Sequence, residues 1–346
     1  MTSYIMEHHQ RNDAGNSKII NYMTDHFRLP KDFESLVYLS QLLQAECVRT
    51  GVEYWRRNRC TSGALYWQLN DCWPVASWAS LDYYGCWKAL HYSARRFFAP
   101  VMLSAEDWPV GNDTPEEVDP DDNGQRRIRW TLAMMNGKEL GTGEQIMSAS
   151  AAMQILGGGG GGHPAPKGWE PEASLYLTND LTTEWQGSVR WSLETLDGKA
   201  LQTGEQAVTV PALGAVNVCA LDLAELIGDT NRREVVLVYE LWRDGERLSM
   251  GVMPFAQNKH LALADPELDC DVVETDAGFE IAVTAQRLAR FVWLALDGTD
   301  SSVVFDDNYF DLPAGRTVTV RLAAPDGWTV DRVRASLRAR SLVDSF

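Results

Sequence analysis

The sequence predicts a mixed chain, in which an α/β region is followed by all-β domains. Three observations support this prediction. Apolar residues recur at helical spacing in the first hundred residues, and one short apolar strand interrupts them. Alternating strands with Asn-Gly or Asp-Gly turns fill most of the remainder. A length of 346 residues allows two or three such domains.

Residues 1–98 combine two helical patterns with one apolar segment. Residues 33–58 place their apolar side chains on one helical face, and Asp32 precedes them as a helix-entry signal. The segment 64–69 is predicted as a buried strand, and 83–98 as a second helix. Helix, strand, loop and helix follow one another in α/β barrels and doubly wound sheets, but one strand cannot form a sheet. We therefore expect this region to be incomplete and to be the least stable part.

The rest of the chain is predicted to form two β-sandwich domains, at 99–264 and 265–346. Hairpin signals recur there, with Asp197-Gly198 and Asp244-Gly245 each between alternating strands. The boundary falls where Pro266 interrupts the strand pattern. Short strands with regular turns and little helical pattern are typical of sandwiches.

The first sandwich contains a predicted flexible insertion at about 105–170. Residues 129–145 and 190–206 are identical at 10 of 17 positions, which indicates a partial duplication. The stretch GGGGGGHPAPKGWEP (157–171) has the composition of a flexible linker. It is not a phosphate-binding loop, because no Lys-Ser or Lys-Thr follows the glycines.

The net charge and the cysteine pattern argue against several classes of ligand and partner. A net charge of −17 and a pI of about 4.8 argue against nucleic acid and anionic membranes as partners. The six cysteines form no C-x-x-C pair, so we predict no metal site and no cofactor. We expect no membrane span, no signal peptide and a cytoplasmic location, because the N-terminus lacks an apolar core.

The motif GALYWQLNDCWP (63–74) carries the candidate site. Trp67 lies near the end of the predicted strand, and Asn70, Asp71 and Trp73 follow it. Aromatic faces stack on the apolar faces of sugar rings, and amide and carboxylate groups bind hydroxyls. These four residues therefore predict a carbohydrate site. The alternative is a structural corner, in which Asn70 and Asp71 cap the turn and the tryptophans are packed inside.

The longer stretch GALYWQLNDCWPVASWASLDYYGCWKALHYSARRFFAP resembles the last barrel strand and helix of glycoside hydrolase family 2 enzymes, specifically the β-mannosidases. The resemblance spans nearly the whole chain in order, and 105–170 departs from it most. It implies the C-terminal end of a (β/α)8 barrel, followed by immunoglobulin-like β-sandwich domains. The segments that carry it are 7–23, 29–46, 63–100, 173–182 and 305–315.

The resemblance also implies a function. Enzymes of this family remove terminal β-D-mannose with retention, and retention needs two carboxyl groups about 5–5.5 Å apart. In the family these are glutamates after an Asn and in a Ser-Glu-Phe-Gly-like strand end, and neither motif occurs here. We therefore expect no catalytic residue in this chain, and no activity from it alone. The expected partners are a β-mannoside or manno-oligosaccharide and the missing N-terminal part of the enzyme.

Within the resemblance, Trp67 corresponds to the aromatic platform under the sugar. Asn70, Asp71 and Trp73 are implied as pocket wall and loop.

Three alternatives stay open. A carbohydrate-binding module would need an exposed aromatic strip, with Trp185, Trp191 or Trp242 as candidates, although their alternating strands favour core positions. A β-galactosidase or β-glucuronidase would keep the fold and change the sugar. A structural remnant would pack against another chain that supplies the missing strands.

Overall fold

The computed structural model describes residues 3–12, 14–59, 61–107, 171–299, 303–323 and 327–346. The predicted insertion from residue 108 onward, the first copy of the repeat and the glycine run lie outside the described residues.

Four helices form the first part of the fold. The long helix predicted over 33–58 is confirmed, and the Asp32 carboxylate accepts a hydrogen bond from the Ser35 amide at 2.7 Å. The helix predicted over 83–98 begins later than expected. The helices are α1 (Tyr4–Gln10), α2 (Gly15–His26), α3 (Phe33–Asn58) and α4 (Ala89–Phe97).

A turn delays the start of α4. The Asp82 carboxylate accepts hydrogen bonds from the amides of Tyr84 and Cys86, both at 2.8 Å. Gly85 takes a left-handed conformation with φ of 84°. Asp82 therefore caps this turn and does not cap the helix. The helical pattern of the sequence extends over the residues of this turn, but the turn keeps them from joining α4.

Seven strands of the described residues build the first β-sandwich. One sheet has the order β1-β2-β5 and the other β4-β3-β6-β7, and all the pairs are antiparallel. Both predicted hairpins are confirmed, and Asp244 and Gly245 take φ of 52° and 81° as a type I′ turn requires. The strands are β1 (Val101–Asp107), β2 (Glu172–Asn179), β3 (Trp185–Thr195), β4 (Ala200–Val210), β5 (Gly214–Asp222), β6 (Val235–Arg243) and β7 (Glu246–Pro254).

Six strands and a short helix build the second sandwich. The sheets have the orders β12-β9-β8 and β11-β10-β13. The short helix α5 (Val330–Ser336) lies in a region where the sequence predicts only a β-sandwich. The strands are β8 (Asp269–Thr275), β9 (Gly278–Thr284), β10 (Ala289–Leu296), β11 (Phe310–Leu312), β12 (Thr317–Leu322) and β13 (Leu337–Arg340).

The helices share a core with the second sandwich. Their apolar cluster joins Leu39 and Leu42 of α3 and Leu90 of α4 to Phe291 of β10 and Leu342 near the C-terminus. Each sandwich has a further apolar core of its own between its sheets. The helical part is thus attached to the β domains through buried side chains and not through a linker alone.

Candidate functional site

The segment 64–70 is not the buried strand that the sequence predicts: the chain bends at Trp67 and Leu69, and only Asn70 forms a β-bridge. Leu65, Trp67 and Leu69 are 101%, 74% and 55% exposed, whereas Tyr66 packs against the helical core. The prediction of burial on both faces is therefore wrong for this chain. The physical reason is that no described strand pairs with the segment, so one face has nothing to cover it.

One edge of this segment is held by the loop that follows. The Gln68 and Leu69 carbonyls accept hydrogen bonds from the amides of Ser80 and Leu81, at 3.0 and 2.7 Å. Asn70 and Leu81 form a single parallel bridge. Among the described residues, no backbone carbonyl accepts a hydrogen bond from an amide of 64–70. The segment therefore has one backbone edge that no described residue pairs with.

Asp71 turns away from the exposed face. It is 8% exposed, and its two carboxylate oxygens lie 2.7 and 2.6 Å from the Ser77 hydroxyl, which donates to them. The Ser77 carbonyl in turn accepts a hydrogen bond from Lys88 Nζ at 3.0 Å. Burial lowers the pKa of Lys88 to about 8, although the nearby Asp71 and Asp82 carboxylates oppose this. Asp71 thus closes the 71–77 turn.

Trp73 packs against the N-terminal helix. Its ring stacks on His9 at a centroid distance of 4.6 Å and an interplanar angle of 10°, and the Arg11 guanidinium lies 5.1 Å from its centroid. His9 Nδ1 donates to the Pro74 carbonyl at 2.5 Å, and the Gln10 amide donates to a carbonyl further along the loop. Helix α1 therefore fixes the loop that follows the segment 64–70.

The four predicted residues do not share one surface. Trp67 and Asn70 are exposed, Trp73 is half-buried against α1, and Asp71 is buried. The peptide bond between Trp67 and Gln68 is cis. The role of all four in sugar binding stays a prediction, and Trp67 has the most accessible ring among them.

Sequence reasoning missed several aromatic residues near this segment. Trp78, Tyr83 and Tyr84 are 58%, 50% and 67% exposed, in the loop whose backbone lies beside Gln68 and Leu69. His9 was missed as the partner of the Trp73 ring. The available signal was the density of aromatic residues in SWASLDYY, directly after the motif.

The carboxylates in this part of the chain are occupied by structural contacts. Between residues 61 and 88 the acids are Asp71 and Asp82, and each accepts hydrogen bonds from its own loop. On α3, Glu46 binds Arg49 at 2.8 Å, and Glu53 lies 3.5 Å from Arg49. These glutamates belong to a helix-borne ion network and not to a strand end.

The pKa values of the two glutamates on α3 are shifted in opposite directions. Burial alone would raise the pKa of Glu46, but the Arg49 charge and its hydrogen bonds outweigh burial and lower it. Burial raises the pKa of Glu53 in spite of Arg49 and Arg57. The described residues contain no cluster of His, Cys, Asp and Glu suited to a metal ion, and none of their helices could span a membrane.

The tryptophans proposed for a binding module lie in or against the first sandwich. Trp185 is 3% exposed in the core. The Trp191 ring packs on that core and covers Gly204 across the hairpin. Trp242 is half-buried, its indole N–H donates to Glu240 at 3.1 Å, and Arg190 lies over its ring at 4.4 Å. These three residues do not form an exposed strip.

Comparison with protein families identifies both sandwiches. Residues 172–260 match the family described as "Mannosidase Ig/CBM-like domain", and residues 263–345 match the "Ig-fold domain" of the mannosidase type. These matches define the class: the chain carries two β-sandwich domains of the mannosidase type.

Relatives with known names narrow the class further. The chain is 45% identical over 118 residues to β-mannosidase of Mus musculus and 47% identical over 118 residues to that of Capra hircus. Each alignment covers 30% of this chain and 13% of the relative. Against β-mannosidase B of Aspergillus flavus the identity is 30% over 162 residues, or 44% of this chain and 18% of the relative.

Solved structures show the same fold. A β-D-mannosidase from Dictyoglomus thermophilum superposes with a TM-score of 0.73 at 23% identity, over 98% of this chain and 34% of that one. An exo-chitosanase from Amycolatopsis orientalis superposes with a TM-score of 0.62 at 15% identity, over 98% and 38%. The chain thus spans a small share of the relatives and structures that it matches. It is thus similar to a C-terminal portion of the β-mannosidases of glycoside hydrolase family 2.

Proposed function

We propose that this chain is part of a retaining exo-β-mannosidase, in which Trp67 forms the aromatic platform under the terminal mannose. The exposed indole of Trp67, on the segment 64–70 at the edge of the helical part, is the observation that carries the proposal. Asn70 follows it on the exposed side and offers an amide for hydroxyl groups. Asp71 and Trp73 support the loop behind it, through Ser77 and His9.

We further propose that residues 1–98 are the end of a (β/α)8 barrel. In a barrel strand one face meets the helices and the other meets the interior, so side chains alternate between the two. Tyr66 packs on the helical core, whereas Leu65, Trp67 and Leu69 lie on the other face, as this arrangement requires. The free amide edge is where further strands would pair. Two sandwich domains, at 99–264 and 265–346, complete the proposed organisation.

The isolated chain should not hydrolyse a β-mannoside, because retaining hydrolysis needs two carboxyl groups about 5–5.5 Å apart. Asp71 and Asp82, the two acids between residues 61 and 88, are engaged in turns. We expect the purified 346-residue protein to release no nitrophenol from an aryl β-mannoside above the rate of a mock preparation. Robust turnover would overturn this assignment.

The decisive experiment begins with the DNA directly upstream of the Met1 codon. An in-frame continuation that encodes an Asn-Glu pair and a later strand-end Glu would supply the catalytic residues. The longer product should then hydrolyse aryl β-mannosides in preference to β-galactosides and β-glucuronides. In it, Trp67→Ala should lower kcat/KM by about 5- to 150-fold, the equivalent of roughly 1–3 kcal/mol. Trp55→Ala, at an exposed tryptophan of α3, is the matched control and should leave kcat/KM unchanged.

A carbohydrate-binding module is the second candidate, and the family match over 172–260 is the observation that favours it. It predicts that the intact chain binds mannan, that Trp242→Ala abolishes binding and that Trp67→Ala does not. The packing of Trp185 in the core and of Trp191 against Gly204 argues against this candidate.

A further inference from the structure

A cleft of about 340 Å³ lies between the helical part and the second sandwich, apart from Trp67. One wall is formed by α3, the 82–88 loop and the start of α4, and the other by β10 and the segment before β11. Ligand sites are frequent at such junctions, and roughly 300–1,000 Å³ is their usual range. This volume limits an occupant to one or two small rings.

Aromatic side chains line both walls. Trp87 and Tyr92 belong to the helical side, and Trp293 and Tyr309 belong to the sandwich side. Neighbouring side chains pack against two of these rings. The ring centroids of Trp87 and His91 lie 4.3 Å apart, and the guanidinium groups of Arg338 and Arg340 lie 5.7 and 5.9 Å from the Trp293 ring. The cleft therefore offers apolar surfaces to a flat ligand.

Polar groups with unused capacity surround the same cleft. Lys88 donates one hydrogen bond to the Ser77 carbonyl and has further N–H donors. The Gln41 amide oxygen accepts a hydrogen bond from the Ala89 amide, which leaves the Gln41 NH₂ group as a donor. One Asp82 oxygen accepts two loop amides, and the other oxygen remains an acceptor.

The two cleft tryptophans add further donors. Among the described residues, none accepts a hydrogen bond from the indole N–H of Trp87 or Trp293. The cleft thus combines aromatic faces with both donors and acceptors.

We propose that this cleft is a second binding site, for a neutral saccharide of one or two rings. Sugar hydroxyls both donate and accept, so they match the mixture of groups from Gln41, Asp82 and Lys88. The opposite charges of Asp82 and Lys88 balance each other, which favours a neutral ligand over an ion. The apolar faces of the sugar meet the Trp87 and Trp293 rings. The choice of a mannose disaccharide for the first titration rests on the proposed function, but the proposal of a binding site in this cleft does not.

The test uses the 13 tryptophans of the intact chain as reporters. Indole N–H signals are followed by ¹H–¹⁵N NMR during titration with β-1,4-mannobiose and, separately, with cellobiose. Trp87→Phe, Trp293→Phe, Trp67→Phe and Trp78→Phe assign four signals. We expect the Trp87 and Trp293 signals to shift saturably with a dissociation constant of about 1–10 mM, while that of Trp78 stays in place.

A variant adds a second readout. Trp293→Ala should weaken binding by roughly 2- to 12-fold, the usual worth of an aromatic stack. Trp78→Ala, at an exposed tryptophan outside the cleft lining, is the control and should have no effect. Saturable shifts with either disaccharide support the site. Absence of shifts with both, or shifts confined to Trp67 and Trp78, would overturn it. Neither result depends on hydrolysis, so this proposal and the proposed function can fail separately.

Discussion

Trp67 and Trp185 show how differently one residue type is used in this chain. Trp67 is 74% exposed on an unpaired segment, whereas Trp185 is 3% exposed between two sheets. A large exposed apolar side chain contributes little to the stability of the chain that carries it, and it remains available to a ligand or partner. A buried indole contributes by removing its whole surface from water.

Substitution of these two tryptophans should separate the two uses. We expect Trp67→Ala to change the free energy of unfolding by less than about 0.5 kcal/mol. Trp185→Ala should lower it by about 3–5 kcal/mol, because it leaves a cavity in the first sandwich. Urea denaturation of both variants measures this directly. A large loss of stability in Trp67→Ala would mean that its ring packs on this chain.

Lys88 should give the stability a dependence on alkaline pH. Burial lowers its pKa from 10.5 to about 8, so above pH 8 the folded chain loses this proton while the unfolded chain still holds it. The unfolded state then binds more protons, and stability rises with pH. We expect this gain between about pH 8 and 10.5. Below pH 8 the cost of burying the charge is fully present.

The comparison with Lys88→Met isolates this contribution. The free energy of unfolding of the wild-type chain minus that of Lys88→Met should increase across the same pH window, as measured by urea denaturation at intervals of one pH unit. A constant difference would show that the Lys88 ammonium group is as well solvated when folded as when unfolded.

Helix α3 and its C-cap residue Arg59 contact both sandwiches through long polar side chains. Arg56 and Arg59 both bind Asp180 of the first sandwich at 2.7 Å, and the Tyr38 hydroxyl donates to the Phe291 carbonyl of the second at 2.6 Å. Arg57 reaches Glu106 of β1 at 3.2 Å. One helix therefore holds both sandwiches, because Tyr38 in its first half contacts the second sandwich and the arginines at its C-terminal end contact the first.

Removal of one partner from this network should be costly. Arg57 is 5% exposed and lies between Glu53 and Glu106, so Arg57→Met removes the counter-charge of Glu106 and leaves Glu53 with Arg49 alone. We expect a loss of about 3–5 kcal/mol in the free energy of unfolding. Arg190→Met, in a pair whose partners are 44% and 53% exposed, should cost less than about 1 kcal/mol. Equal losses in the two variants would contradict the role of burial.

Hydrogen exchange should reveal the unpaired edge at the element scale. The amides of 64–70 have no backbone acceptor among the described residues, whereas each strand beside β6 pairs with it along its length. We expect the segment to exchange orders of magnitude faster than β6 under native conditions. Protection equal to that of β6 would show that the segment has found a strand partner, for example in a second copy.

At the scale of the whole molecule, the apolar cores do not follow the domain boundaries that the sequence predicts. The helical core extends into the second sandwich, through Phe291 and Leu342. Leu312, also fully buried, belongs to the core between the sheets of that sandwich. Loosening the C-terminal residues should therefore affect helices that lie some three hundred residues earlier in the chain.

Two matched leucines test this connection. Leu342→Ala and Leu312→Ala should each cost about 2–5 kcal/mol, because both side chains are completely buried. Only Leu342→Ala should accelerate hydrogen exchange in α3, which packs directly against residues 342–345. Faster exchange of α3 in Leu312→Ala as well would indicate that the helices and the sandwich unfold as one unit.

The sequence by itself determined the local features of this protein. The helix at 33–58, the hairpin turns at Asp197-Gly198 and Asp244-Gly245 and the resemblance to β-mannosidases depend on neighbouring residues and on short motifs. Such features are encoded by side-chain spacing and backbone preference, which a single sequence displays.

Tertiary structure alone decided what each part of the candidate site faces. The apolar pattern of 64–69 is that of a buried strand, but burial requires a neighbour, and the described chain offers none to Leu65 and Trp67. Asp71 turned inward to Ser77, and Trp73 stacked on His9, more than sixty residues away. Exposure and long-range contacts depend on which segments meet in space, and a local pattern holds no information about absent or distant partners.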